Sequence, residues 1–180
     1  MASIISNMFV LAVCICCLPG LSIAGQYKVV KIYDGNTIKV SGQGKEIPIR
    51  LVGIDSPEKG QPYFDASREL LRNAILHKRI DIISHGVDPY KRLLAEAFLG
   101  GENINIEILR AGLAEVYRGE LPADLDLRPY LRAEKDAREA MRGIWSLGRR
   151  YVSPLKWRRM RRLYRYRSQQ QESFPESPPF

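Results

Sequence analysis

The sequence predicts an α+β, β-rich domain in which five strands close a small barrel and about three helices are inserted or appended. Two observations point there. Apolar residues alternate with polar ones from Tyr27 to Ile54 and again in two later stretches, while the segment Pro62 to His77 between them switches to a helical period. The 180 residues, 45% of them hydrophobic, suffice for one domain with an ordinary core and are too few for two.

Val29, Val30 and Ile32 lead into an Asp34-Gly35 turn, Thr37 to Val40 alternates, and Ile47 to Ile54 completes a three-stranded meander, with Gly42-Gln43-Gly44 as its second hairpin. From Pro62 to His77, Phe64, Ala66, Leu70, Leu71, Ala74 and Ile75 gather on one helical face and Arg68, Glu69 and Arg72 on another, so this amphipathic helix packs on the sheet. Strands Arg79 to Ser84 and Leu93 to Leu99 flank the polar loop Gly86 to Arg92. Asn103 is suited to cap a second helix carrying Ile104, Ile108, Leu109 and Leu113. A third helix spans about Pro129 to Arg142, with Gly143 as its stop.

The ends differ from this body. Residues 1–24 carry no charge and hold the apolar run Met8 to Val13 followed by Ser22-Ile23-Ala24, the pattern of a signal peptide cleaved near Ala24. Lacking a basic start and nearing the length of a span, the segment also reads as a retained N-terminal anchor. Either way the domain is expected to be exported, secreted or periplasmic. The three cysteines, Cys14, Cys16 and Cys17, all lie in this segment, so the mature chain relies on its core and not on disulfides.

Residues 25–148 then form the globular domain, 149–167 a basic, aromatic extension and 168–180 a disordered tail rich in Gln, Ser, Pro and Glu. The net charge of +8 is concentrated in the extension, where nine Lys and Arg residues occur without an acid. Interleaved with Trp157, Tyr164 and Tyr166, they suit a nucleic acid through phosphate attraction and base stacking, or an anionic membrane surface. A plain solvated helix face is the third reading, but so many like charges repel one another without a partner, which favours nucleic acid.

The chemistry concentrates in Arg50-Leu51-Val52-Gly53-Ile54-Asp55-Ser56-Pro57-Glu58, with Asp34 to Thr37 before it and Asp88 to Arg92 after it. Each acid or arginine ends a strand or sits in a loop, and in a barrel such ends can share one rim. Carboxylates mixed with guanidinium groups suit phosphodiester hydrolysis, which requires charge neutralisation, an activated water and alignment of that water. A hard cation such as Ca²⁺ would be held by Asp55, the side-chain carbonyl of Asn36 and the backbone carbonyl of Ser56. Arg50 and Arg92 would grip the phosphate through forked hydrogen bonds, leaving Glu58 as general base. Blander readings stand beside these: Arg50 and Asp55 as a surface ion pair, Glu58 as a first-turn helix acid, Asp34-Gly35 as a turn device. Tyr117 suits stacking on a base or packing equally. His77 and His85 lack zinc-ligand spacing and read as surface or strand-end residues.

With its Asp-Gly-x-Thr turn, the run from Arg50 to Glu58, the Asp-x-Tyr-x-Arg loop and a closing Ile144-Trp145-Ser146, the stretch from about Tyr27 to Trp145 resembles the staphylococcal (thermo)nuclease family. The resemblance implies an OB fold and a Ca²⁺-dependent nuclease acting on DNA, RNA or both. It implies that Arg50, Glu58 and Arg92 are catalytic, that Asn36, Asp55 and Ser56 hold the metal, and that Tyr90 contacts a nucleotide. One chain supplies all of these, so a monomer is expected. The alternative from another class is a catalytically impaired OB-fold module that only binds nucleic acid. Retention of the acids argues for the enzyme, because binding alone has no use for them.

Two positions depart from the family pattern: Asn36 stands where Asp is usual, and Lys91 where Gly is frequent. Loss of one negative charge lowers affinity for a hard cation. Asn36→Asp is therefore expected to tighten Ca²⁺ binding in calorimetry, and equal affinity in the two chains would remove this account of position 36.

Overall fold

The computed structural model describes residues 24–42 and 44–172. The expected signal peptide or anchor, apart from Ala24, lies outside the described residues, as do all three cysteines, Gln43 of the second hairpin and the tail beyond Glu172.

Strands β1 (Ala24–Ile32), β2 (Thr37–Gly42) and β3 (Lys45–Leu51) form the expected antiparallel meander. β5 (Arg79–Val87) pairs with β1, and β6 (Leu93–Leu99) pairs with β5, both antiparallel; between β3 and β5 lies β4 (Ile54–Asp55). The barrel closes where β6 returns to β3 in parallel, Ile49 beside Leu93 and Leu51 beside Ala95. Five strands thus enclose the interior, with Val29, Ile38, Val40, Ile49, Ile82 and Ala97 among the side chains inside it. β7 (Glu102–Asn103) adds a short edge to β6, and β4 pairs with β8 (Glu115–Val116) in a separate ribbon.

Helix α1 (Phe64–Ile75) lies between β4 and β5, and α2 (Ile104–Arg110) follows β7. The Asn103 side chain accepts a hydrogen bond from the Ile106 amide, the cap expected there. α3 (Arg128–Glu139) carries its proline in the first turn but ends earlier than the expected Arg142, because Met141 already takes a left-handed backbone (φ 51°). A 3₁₀ segment, Gly143–Arg150, follows, and then the basic helix α4 (Pro154–Glu172), which continues past Ser168.

The buried face of α1 is rotated from the expected one. Ser67, Leu71 and Ile75 are its fully buried residues, whereas Ala66 is exposed. The reason is steric: the Asp34-Gly35 turn packs so closely on this helix that a Cβ on Gly35 would lie 1.8 Å from Ser67 Oγ and 2.8 Å from Ser56 Cβ. The turn, the start of the Ser56-Pro57-Glu58 loop and α1 are thereby pressed together. Gly53 performs a similar service after β3. Its φ of 79° and its contact with the buried Tyr130 ring, 2.6 Å from where a Cβ would stand, admit only glycine. The chain can then turn sharply from Leu51 into Ile54-Asp55.

Candidate active site

Barrel closure sets the two arginines. Arg50 lies between the inward-facing Ile49 and Leu51, so it points outward, and its cross-strand partners are Thr37 on β2 and Leu94 on β6. Arg92 sits just before β6, two residues from Leu94, close enough for its charge to act on Arg50. Burial lowers the Arg50 pKa; Asp55 and Asp34 oppose that shift, while Arg92 and Arg158 reinforce it, so all four charges surround this guanidinium. Arg50 donates from Nη2 to Asp55 Oδ1 at 3.2 Å. Its Nη1 is buried and has no hydrogen-bond partner among the described residues.

Asp55, Ser56 and Asn36 are 2%, 3% and 5% exposed. The Asn36 amide is bonded to Asp34 Oδ1 at 2.9 Å, its carbonyl accepts from the Leu51 amide at 2.8 Å, and its side-chain oxygen accepts from Thr37 Oγ1 at 3.3 Å. The turn is thus laced to the end of β3. Arg50 and Asp55 do form the ion pair that was one sequence reading, but as a buried pair and not a surface one.

Glu58 is not a first-turn helix acid, since α1 begins only at Phe64. Its loop is held by Gln61, which accepts from the Glu58 amide at 2.7 Å and donates to the Val152 carbonyl at 2.9 Å. One guanidinium joins the two acids: Arg158 on α4 donates to Asp55 Oδ1 and Oδ2 at 3.0 and 2.8 Å and to Glu58 Oε1 at 2.7 Å. Burial alone would lower the Arg158 pKa, but these carboxylate bonds outweigh it and raise the value.

Arg92 is tied to its own loop. Asp88 Oδ2 accepts from Arg92 Nε and Nη2 at 2.8 and 2.7 Å, and Asp88 Oδ1 accepts from the Tyr90 and Arg92 amides, both at 2.9 Å. Burial would raise the Asp88 carboxyl, yet its bonds from Arg92 and Tyr90 hold it below the ordinary value. Tyr90 is 80% exposed, with the Arg92 guanidinium 5.4 Å from its ring centre. Tyr117 is half-buried and its hydroxyl folds back against Gly119. That is the packing reading of Tyr117.

Two participants escaped the sequence reading. Glu115 on β8 stands opposite Asp55 on β4, is 6% exposed and accepts a bond from the Tyr151 hydroxyl. Burial raises its carboxyl pKa; the Tyr151 bond opposes this and the Asp55 charge adds to it. No local signal distinguishes Glu115, because its partners are distant in sequence. Arg158 was visible only as one of nine cations. His85, expected at the surface or a strand end, has a side chain only 4% exposed, clasped by Glu96 at 3.1 Å and Asp124 at 3.0 Å.

Among the described residues no three His, Cys, Asp or Glu side chains cluster as a metal site. The donors that Asp55, Asn36 and Ser56 could offer are one carboxylate, one amide oxygen and one main-chain carbonyl, all oxygens on buried residues, chemically suited to a hard cation at low charge count.

A closed barrel of this topology, with Arg50 bonded to Asp55 at the end of β3 and Arg158 bonded to Asp55 and Glu58, defines a class of small OB-type domain with a polar site beside the strand ends. Residues 48–147, more than half of the chain, match the family described as staphylococcal nuclease homologue, and the chain belongs to that family. It is 32% identical over 137 residues to an uncharacterized endonuclease of Haemophilus influenzae, covering 76% of this chain and 74% of that one. It is also 35% identical over 121 residues to an uncharacterized endonuclease of Escherichia coli O157:H7, covering 66% and 76%. With a micrococcal nuclease of Shigella flexneri it shares 34% over 143 residues, covering 73% and 79%.

Lys91 adopts φ 63°, the left-handed conformation that glycine accepts more readily. Lys91→Gly is expected to stabilise the protein by about 0.5–1 kcal/mol in urea unfolding, the relief of backbone strain being partly offset by a freer unfolded chain. An unchanged or lower midpoint would show that this loop carries no such strain.

Proposed function

We propose that the protein is an exported, Ca²⁺-dependent nuclease that hydrolyses phosphodiester bonds of DNA, RNA or both. The observation that carries this reading is the buried Arg50 Nη1, which has no hydrogen-bond partner among the described residues, on a guanidinium bonded to Asp55. A guanidinium nitrogen buried without a partner is costly, and a phosphate oxygen satisfies it.

In this reading Arg50 and Arg92 hold the non-bridging oxygens of the scissile phosphate, with Asp88 keeping the Arg92 fork oriented. Asp55, Asn36 and Ser56 hold the cation, which when bound supplies positive charge for the phosphate oxygens and lowers the pKa of a coordinated water. Glu58 accepts the proton of the attacking water as its oxygen bonds to phosphorus and the bond to the leaving oxygen breaks. Tyr90 is exposed and close to Arg92, consistent with contact to a nucleotide, whereas Tyr117 is assigned to packing. One chain supplies every group, which supports a monomer.

Export is proposed from residues 1–24, with cleavage near Ala24, where β1 starts. No helix among the described residues is long and apolar enough to cross a membrane. The basic extension is proposed to contact nucleic acid: Arg161, Arg162 and Arg165 line a groove of about 530 Å³ that reaches Glu58.

A second reading, a module that binds nucleic acid without cutting it, is favoured by Asn36 and by the engagement of both acids with Arg158. Plasmid digestion with and without chelator, beside Glu58→Gln, separates the two. We expect cutting that chelator stops and that the substitution lowers by at least ~100-fold; retention of nucleic acid without any cutting would select the binding module. Replacing Arg161, Arg162 and Arg165 together by Gln is expected to weaken DNA binding in chelator and to reduce its log–log salt slope by about 2–3. An unchanged slope would detach the extension from the substrate.

A further inference from the structure

We infer that Arg158 is a built-in competitor of the divalent cation: the first turns of α4 seat its guanidinium on Asp55 and Glu58 and hold the site closed until it is displaced. The inference rests on the metal-dependent reading above and concerns how that same site is regulated.

The geometry is that of a cation in place. Both oxygens of Asp55 accept from Arg158, which also bonds Glu58, so a single guanidinium bridges the proposed cation ligand and the proposed base. Asp55 is 2% exposed, and apart from Arg158 its carboxylate is met by Arg50 through one bond at 3.2 Å. While Arg158 is seated, its positive charge lies against both Asp55 oxygens and repels a metal approaching them, and Glu58 Oε1 accepts from it as well.

The seat is also releasable. α4 touches the domain chiefly through its first turns: Pro154 is buried, Trp157 and Arg158 are half-buried, and residues 159–168 are exposed. Arg161 adds one bond, to the Lys59 carbonyl at 3.3 Å. Beneath Trp157 lies a cavity of about 180 Å³ lined by Pro57, Gln61, Ile144, Tyr151 and Pro154, so the helix does not fill the surface on which it rests. The Trp157 indole nitrogen is buried without a hydrogen-bond partner among the described residues, a cost that departure of the helix removes. An attachment centred on the Arg158 charge cluster, over a loosely filled surface, can open without unfolding the barrel.

The test is calorimetric titration of Ca²⁺ into the full chain, with melting temperatures recorded in chelator and in Ca²⁺, for the wild type, Arg158→Gln, Arg158→Lys and Asp55→Asn. Arg158→Gln is expected to bind Ca²⁺ roughly tenfold more tightly, the gain from removing a competing state that holds about nine molecules in ten. It is also expected to melt lower than the wild type in chelator and to gain more from Ca²⁺ than the wild type does. Arg158→Lys, whose single ammonium cannot bridge both Asp55 oxygens as a fork, should fall between the two and serves if the Gln variant does not fold. Equal or weaker Ca²⁺ affinity in the Arg158 variants, with binding still lost in Asp55→Asn, would overturn the competitor and leave the metal-dependent reading standing. Absence of Ca²⁺ binding in every chain would remove both.

Discussion

The parallel pairing of β3 with β6 is the contact on which the rest of the molecule depends. It turns an open meander into a barrel, and its register sets Arg50 beside Leu94, just past the loop that carries Arg92. Parallel neighbours distant in sequence carry a loop-closure cost, and this one is reinforced from inside. Asn105, fully buried on α2, accepts from the Ala97 amide at 3.1 Å and donates to the Val52 and Ala95 carbonyls at 2.9 and 3.2 Å. The Val52 amide donates in turn to the Ala95 carbonyl at 2.9 Å. One amide side chain thus fastens the seam at the point where the chain leaves β3 for the acid-bearing segment.

Charge compensation organises what lies beyond that seam. Asp55 is buried, and the chain offers it two guanidinium groups, Arg50 close by in sequence and Arg158 on α4. Of the other buried acids nearby, Glu134 repeats the pattern with Arg118 and the Val116 amide, whereas Glu115 receives a neutral partner, the Tyr151 hydroxyl. Segments after α3 therefore do more than extend the domain. The 3₁₀ segment carries Trp145 onto Tyr151, with ring centres 4.9 Å apart, while Arg138 stacks 4.0 Å over the same indole. Tyr151 is thereby held close to the ribbon that bears Asp55, and α4 is launched toward Glu58.

Much of this was legible in order along the chain. The meander, β6, the Asn103 cap and the basic helix are local features, written in alternation, in turn dipeptides and in a side chain able to satisfy an amide nearby. Boundaries set by packing were less legible. The inward turn of Ser67 in place of Ala66 follows from the close approach of Gly35, and the early end of α3 follows from the left-handed backbone at Met141. Neither constraint has a signature inside the helix that it alters.

By itself the sequence determined the fold class, the order of elements and the set of chemically capable residues, because hydrophobic period, turn chemistry and side-chain type act over a few neighbours. Only the tertiary structure decided that Glu115 faces Asp55, that Arg92 is clasped by Asp88, that Tyr117 folds onto Gly119, and that Arg158 rather than any other arginine of its stretch lands on the two acids. The first of these depends on strand register, the last on where α4 comes to rest, and the two local ones on loop conformation; hydrogen bonds between groups about a hundred residues apart leave no period in the chain for a reader to find.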